Sequence, residues 1–163
     1  MQVIRDGHLV ADHWQHLDDD SPAGAGPCTV SCRRWLAERG ALADHGSAIG
    51  IRLTGDDDIA AIAADLAGFA LVVIEFPAMA DGRGFSLARL LRDRYGYRGE
   101  LRARGLFIRD QVFFLSRVGV NAFECGVGSD PEELLAALGE FSVKYQASAD
   151  EAQPIYRKHS RSA

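Results

Sequence analysis

The most constraining feature of the sequence is one pattern that repeats four times from residue 49 onward. Each repeat is a short β-prone run, a turn rich in glycine or acidic residues, and an amphipathic stretch. The predicted strands are residues 49–54, 70–76, 99–104 and 121–125. Three predicted helices are 56–66, 85–95 and 108–117. A fourth is expected to have Ser129 or Asp130 as its cap and Pro131 at its first position, and to end near 141. Such short connections favour right-handed crossovers, so we expect an α/β fold of four consecutive βα units with a parallel sheet in sequential strand order.

Each predicted strand carries one charged residue between two apolar ones, and these residues are Arg52, Glu75, Arg102 and Glu124. The two-residue period of a strand puts each charge on the face opposite its apolar neighbours. Opposite charges on adjacent strands stabilise each other. We therefore predict a curved, half-barrel-like sheet with helices on its convex side and charges on its concave side. It resembles half of a (β/α)₈ barrel more than a doubly wound sheet, and functional groups are expected at the strands' carboxyl ends.

The N-terminal part predicts smaller elements. Asp6-Gly7 between the β-prone runs Gln2–Arg5 and His8–Ala11 is a strong hairpin signal. Residues 17–27 are rich in Asp, Gly, Pro and Ala and indicate a linker, and Ser31 is expected to cap a helix over 32–39. We divide the chain into a hairpin and linker (1–27), an α/β domain (28–145) and a polar, flexible tail (146–163).

An arginine-rich stretch is the first candidate for function. Between Arg83 and Arg109 there are eight arginines and two acidic residues, in a chain of net charge −5. The stretch begins at a turn between a predicted strand and helix, Asp81-Gly82-Arg83-Gly84-Phe85-Ser86. Glycines there allow close backbone approach, and the first N–H groups of a helix bind anions, to which Arg83 would add a charge-assisted contact. The alternative is an ordinary loop in which Ser86 caps the helix.

A second candidate lies at the end of the third predicted strand. Arg102 and Arg104 share a strand face near its carboxyl end, and the next helix opens with Asp110-Gln111. One interpretation is a polar pocket for an anionic ligand, with Glu75 or Asp110 as a general base. The other is a structural network of arginines and carboxylates, in which Asp110 suits the positive end of the helix dipole.

Composition and motifs argue against several other classes of function. A mildly acidic chain is a poor match for nucleic acid, and no apolar run approaches the roughly 18 residues that span a bilayer. Three cysteines and no secretory signal fit a reducing cytoplasm. We predict no metal or cofactor: His13 and His16 precede what looks like a solvated acidic loop, and Cys28, Cys32 and Cys125 do not form a ligand set.

Five sequence pieces, in order, resemble a known bacterial family: Glu75-Phe76-Pro77, Asp81-Gly82-Arg83-Gly84, Ser86-x-x-Arg89, Gly99-Glu100-Leu101-Arg102-Ala103 and Asp110-Gln111. The resemblance covers roughly residues 30–145. The family has no known function, but its members are usually encoded beside sulfite reductase and the adenylylsulfate reductase of assimilatory sulfur metabolism, and are often labelled as oxidoreductases of sulfite reduction. The resemblance implies a pathway and possible partners, the two reductases, without implying catalytic residues. No dinucleotide fingerprint in this chain supports the oxidoreductase label.

Two functions therefore stay open, and the sequence does not decide whether the protein is an enzyme. The first is a cytoplasmic accessory protein of assimilatory sulfate or sulfite reduction that contacts a reductase or holds an anionic metabolite. The second is a small enzyme acting on a phosphorylated or sulfated molecule, with Arg83 and Arg102 binding the anion and Glu75 or Asp110 as base. A third interpretation is structural: the half-barrel completes itself as a homodimer.

Overall fold

All strands of the computed structural model, which describes residues 2–126 and 130–139, join one sheet. In chain order they are β1 (Gln2–Arg5), β2 (His8–Ala11), β3 (Gln15–His16), β4 (Cys28–Ser31), β5 (Ile49–Leu53), β6 (Leu71–Phe76), β7 (Glu100–Gly105) and β8 (Ala122–Glu124). The helices of the described part are α1 (Cys32–Ala43), α2 (Arg83–Asp93), α3 (Arg109–Arg117) and α4 (Pro131–Leu138). The predicted end of the last helix and the predicted tail lie outside the described residues.

The strand order across the sheet is β2-β1-β8-β7-β6-β5-β4-β3. Strands β3 to β8 are parallel and follow one another in sequence, which was predicted for β5 to β8. The predicted hairpin is confirmed, and both Asp6 and Gly7 have the positive φ that its tight turn requires. The sheet is mixed, however, because β1 pairs antiparallel with β8. The expectation of a purely parallel sheet is wrong in this respect.

The predicted set of four βα units is not confirmed. The segment after β5 forms two 3₁₀ turns, Ile59–Ile62 and Leu66–Gly68, where an α-helix was expected. Its aspartates bind local backbone: Asp57 accepts from the Thr54 N–H and Asp58 from the Ala60 N–H. Such contacts compete with continuous helical hydrogen bonding. The sequence analysis also missed β3 and β4. In the structure α1 connects the parallel strands β4 and β5.

The sheet is curled, and a short connection explains why. Strands β2 and β3 lie at opposite edges, yet only residues 12–14 separate them. A flat sheet of eight strands would put its edges about 34 Å apart, whereas the four steps from Ala11 to Gln15 span at most about 15 Å. The two edges must therefore approach each other. This curl agrees with the predicted half-barrel-like shape.

The helices pack on the apolar face of the sheet. Strand residues such as Ile51, Ile74 and Leu101 form one buried cluster with helix residues such as Leu91 and Leu115. The charged residues lie on the other face, where Asp12 from the edge-to-edge connection contacts Arg102 of β7. That face is therefore the inner side of the curl. Among the described residues, no helix is both long and apolar enough to cross a bilayer.

A substitution of Gly105, at the end of β7, would test the local geometry of the curled sheet. Its φ is +106°, and a Cβ there would overlap the carbonyl oxygen of Phe76. We expect Gly105→Ala to lower the free energy of unfolding by about 2–4 kcal/mol in urea titrations. The control is Gly40→Ala in α1, where nothing lies within 4 Å of the added Cβ, so stability should rise by up to about 1 kcal/mol. Equal effects of the two substitutions would contradict this account of Gly105.

Candidate functional site

A pocket of about 420 Å³ opens at the carboxyl ends of β5 to β8. Its described lining consists of Thr54, Glu75, Phe76, Pro77, Arg104, Gly105, Glu124, Cys125 and Gly126. The strands are parallel here, so the residues at their carboxyl ends meet at one end of the sheet. A pocket therefore lies where the predicted topology placed functional groups.

Arg104 is the only basic residue in the described lining of the pocket. Its Nη1 donates to Oε1 of Glu75 at 2.7 Å, and its Nε donates to Oε2 of Glu124 at 3.1 Å. These two bonds use two of the five N–H donors of a guanidinium. The carboxylates therefore hold Arg104 in place while leaving it donors for a ligand.

Arg102, two residues earlier in β7, is 1% exposed. Its Nε and Nη2 donate to Glu100 at 2.9 and 2.6 Å, and its Nη1 donates to Asp12 at 3.0 Å and lies 3.5 Å from Glu124. Burial alone would lower the pKa of Arg102, but the surrounding carboxylates outweigh it and raise that pKa. Arg102 is therefore a charged residue inside the protein that a ligand cannot reach.

Arg52 completes the charged inner face. It donates to the carbonyl oxygens of Thr29 and Leu17, and its Nε lies 3.4 Å from Glu75. Burial lowers the pKa of Arg52. Two of the predicted contacts between opposite charges on neighbouring strands are thus confirmed, Arg52 with Glu75 and Arg102 with Glu124, whereas Glu75 contacts Arg104 in place of Arg102. The register adds one detail, because Glu75 lies opposite Arg104 while Arg102 lies opposite Val73.

The turn before α2 lies outside the lining of this pocket. The carboxylate of Asp81 accepts from the Arg83 N–H at 3.1 Å and from the Arg83 guanidinium, which also contacts Asp56. The hydrogen bonds from Arg83 lower the pKa of Asp81 to about 2. A carboxylate of the chain itself therefore sits where the predicted anion would bind.

The glycines and serine of that turn have separate roles. Gly82 precedes the first residue of α2, so the helix begins before Ser86 and the prediction of Ser86 as its cap is wrong. Ser86 is exposed on the helix. Gly84 is buried, and a Cβ there would overlap the ring of Phe76. Gly84 thus lets α2 pack closely on β6.

The start of α3 also lies apart from the pocket lining. The side chain of Asp110 is 80% exposed and lies 3.7 Å from Arg109. Gln111 accepts from the Ile108 N–H and donates to the Met79 carbonyl, which ties α3 to the loop after β6. Of the two predicted general bases, only Glu75 lines the pocket.

The sequence analysis missed several residues of this region. Glu124 was predicted only as a strand charge, and its contacts with both Arg102 and Arg104 depend on the sheet register. Cys125 lines the pocket, and burial raises the pKa of its thiol, which disfavours the reactive thiolate. Asp12 and His16 also reach the inner face. They come from the short connection and the two-residue strand β3, for which the sequence offered no periodic signal.

The fold and pocket define a curled α/β protein with a pocket at its strand ends that contains one arginine and two carboxylates among its lining residues. The chain belongs to the bacterial proteins of unknown function grouped as DUF934, whose family model matches residues 50–156. The match covers β5 from its second residue, β6 to β8 and the described lining of the pocket, whereas β1 to β4 precede it. Searches of curated proteins and of solved structures find no match.

The energetic weight of Arg102 can be tested by substitution. Arg102→Met would leave three carboxylates without their buried partner, and we expect a loss of about 3–5 kcal/mol in the free energy of unfolding. The control is Arg89→Met, which removes an exposed contact with Asp93 within α2 and should cost less than about 0.5 kcal/mol. Chemical denaturation of both variants measures the difference. A loss for Arg102→Met as small as the control's would show that the inner face tolerates unpaired carboxylates.

Proposed function

We propose that this protein is a cytoplasmic accessory protein of assimilatory sulfate or sulfite reduction that holds a small anionic metabolite in the strand-end pocket. The observation that carries the proposal is Arg104, a pocket-lining guanidinium held by two carboxylates. The pathway comes from the resemblance of the five sequence pieces to proteins encoded beside the reductases. Membership in DUF934 names no function of its own.

The geometry around Arg104 suits a small oxyanion. A guanidinium is planar and matches carboxylate, phosphate and similar oxyanions with two parallel hydrogen bonds. Because Glu75 and Glu124 already restrict the Arg104 side chain, ligand binding loses less conformational entropy in ordering that side chain. The pocket volume of about 420 Å³ falls within the range typical of small-molecule sites.

Arginine contacts offset part of the charge of the two carboxylates in the pocket. Glu75 lies between Arg52 and Arg104, at 3.4 and 2.7 Å. Glu124 lies between Arg102 and Arg104, at 3.5 and 3.1 Å. Each carboxylate thus contacts two arginines, but Arg104 serves both carboxylates and Arg102 also serves Asp12 and Glu100, so their charge is offset only in part. A carboxylate with a partly offset charge repels an anion at the neighbouring guanidinium less than a free carboxylate would.

We also propose that the protein contacts a reductase, and exposed apolar side chains near the pocket support this. Met79 follows β6, and Leu106 and Ile108 follow β7; all three are exposed, Leu106 by 62%. The hydrogen bond from Gln111 to the Met79 carbonyl joins the loop after β6 to α3, which begins directly after Ile108. Clustered exposed apolar residues are typical of protein interaction sites. Sulfite reductase and adenylylsulfate reductase are the proposed partners, and homodimerisation stays an untested prediction.

A small enzyme acting on a phosphorylated or sulfated molecule is the second candidate. The observation that favours it is Glu75, a carboxylate in the pocket 2.7 Å from Nη1 of Arg104. In this arrangement Arg104 binds the anionic group and Glu75 takes a proton from the substrate. Glu75→Gln would then stop turnover while ligand binding remains. The accessory role is favoured if the wild type shows no turnover and Glu75→Gln loses ligand binding.

Growth tests address the pathway. We expect deletion of the gene to slow growth on sulfate or sulfite as the sole sulfur source, and sulfide or cysteine to restore it, because both bypass the reduction. The wild type and Arg89→Met should complement the deletion, whereas Arg104→Met should not, provided that the variants accumulate equally. Unchanged growth of the deletion strain on sulfate and sulfite would refute the role in this pathway.

Ligand binding is tested by thermal unfolding with sulfate, sulfite, phosphate and adenylylsulfate at constant ionic strength. An anion at about 100 times its Kd stabilises the folded state by about 2.7 kcal/mol, which for a chain of this size raises Tm by roughly 5–10 °C. Arg104→Met should lose this shift and Arg89→Met should keep it. The anion site is wrong if no anion in the panel raises Tm, or if Arg104→Met responds like the wild type.

A further inference from the structure

Three potential metal ligands converge on the inner face of the sheet, beside the pocket. They are Asp12 from the edge-to-edge connection, His16 from β3 and Glu124 from β8. One ligand atom from each lies within 4.8 Å of the others. Their side chains are 4%, 13% and 7% exposed. Residues from three separate parts of the chain thus place an imidazole and two carboxylates in one largely buried space.

The imidazole of His16 is held at one nitrogen and unsatisfied at the other. Its Nδ1 lies 2.7 Å from the hydroxyl oxygen of Thr29. Its Nε2 is buried and lies 2.8 Å from Oε1 of Glu124, yet it has no hydrogen-bond partner of acceptable geometry among the described residues. Buried polar atoms of this kind are uncommon and require an explanation. A ligand between Nε2 of His16 and the carboxylates would give this nitrogen a binding partner.

We propose that Asp12, His16 and Glu124 bind a divalent transition-metal ion. One imidazole nitrogen with carboxylate oxygens is a ligand set suited to Zn²⁺, Mn²⁺ or Fe²⁺. Bonds of about 2.1 Å put adjacent ligand atoms about 3 Å apart, close to the 2.8 Å between His16 Nε2 and Glu124 Oε1. The contact of His16 with Thr29 matches the way metal-bound histidines are usually oriented through their second nitrogen.

The neighbouring arginines compete with this ion for the carboxylates. Arg102 contacts Glu124 Oε1 at 3.5 Å, the longest of its contacts, and is held more closely by Glu100 and Asp12. Arg104 binds the other oxygen of Glu124, Oε2. A cation held by Glu124 Oε1 and Asp12 therefore competes with Arg102 Nη1, which lies 3.5 Å from that Glu124 oxygen and 3.0 Å from Asp12 Oδ2, but not with the two contacts of Arg102 with Glu100. The nearby guanidinium groups still repel a cation, so we expect an affinity weaker than that of a structural zinc site.

Metal binding is measured on the full, tag-free chain after removal of metals with a chelator. Equilibrium dialysis against Zn²⁺ or Mn²⁺, without multivalent anions, should give one ion per chain for the wild type. His16→Gln should weaken binding at least tenfold, because it removes the only nitrogen ligand of the site. His8→Gln is the control, since His8 is exposed and its ring lies in hydrogen-bond distance of the Asp6 carbonyl in its own turn. The proposal is wrong if the wild type binds no metal at millimolar concentration or if His16→Gln binds as tightly as His8→Gln.

A second measurement needs no variant and so does not depend on how well His16→Gln folds. In NMR spectra of the wild type, substoichiometric Mn²⁺ should broaden the ring signals of His16 and leave those of His8 and His45 sharp. Broadening confined to other histidines would overturn the site. The inference does not rest on the proposed anion, because neither measurement includes one, and a failed metal titration leaves the Arg104 binding test unaffected.

Discussion

The inner face of the sheet depends on the burial of one guanidinium, that of Arg102. Its partners come from β7, from β8 and from the connection between β2 and β3. A charge with 1% exposure must keep its partners, because the cost of leaving it alone in the interior is several kcal/mol. A slip of one residue in β7 would move Arg102 into the apolar cluster under the helices. The buried pairs therefore select both the strand register and the position of the connection.

Glu124 links this buried network to the pocket. Its carboxylate contacts Arg102 inside the curl, Arg104 in the pocket lining and His16 from the opposite edge of the sheet. Arg104 is in turn shared with Glu75, which also contacts Arg52. A ligand that draws Arg104 away from either carboxylate would therefore alter contacts across four strands. Binding at the pocket and stability of the sheet are coupled through these shared carboxylates.

The local patterns predicted much of the fold but only part of the site. The parallel order from β5 to β8 followed from apolar runs, and Glu75 and Arg104 reached the pocket because both are charges at strand ends. The pairing of β1 with β8 joins residues more than 110 positions apart, which no local pattern encodes. Asp12 and His16 were missed for a similar reason, since they lie in elements too short to show a period. Arg83 and Asp110 were plausible by residue type, yet neither lines the pocket.

The position of β1 also has a consequence for the order in which the protein forms. During synthesis β1 and β2 leave the ribosome well before β8, the other neighbour of β1, which begins at Ala122. At ordinary translation rates the hairpin waits roughly 6–23 s for that strand. Closure of the sheet is then a long-range event that joins β1 to β8, which is the kind of contact that slows folding. The nascent chain thus carries an open β-edge on β1 until β8 has been made.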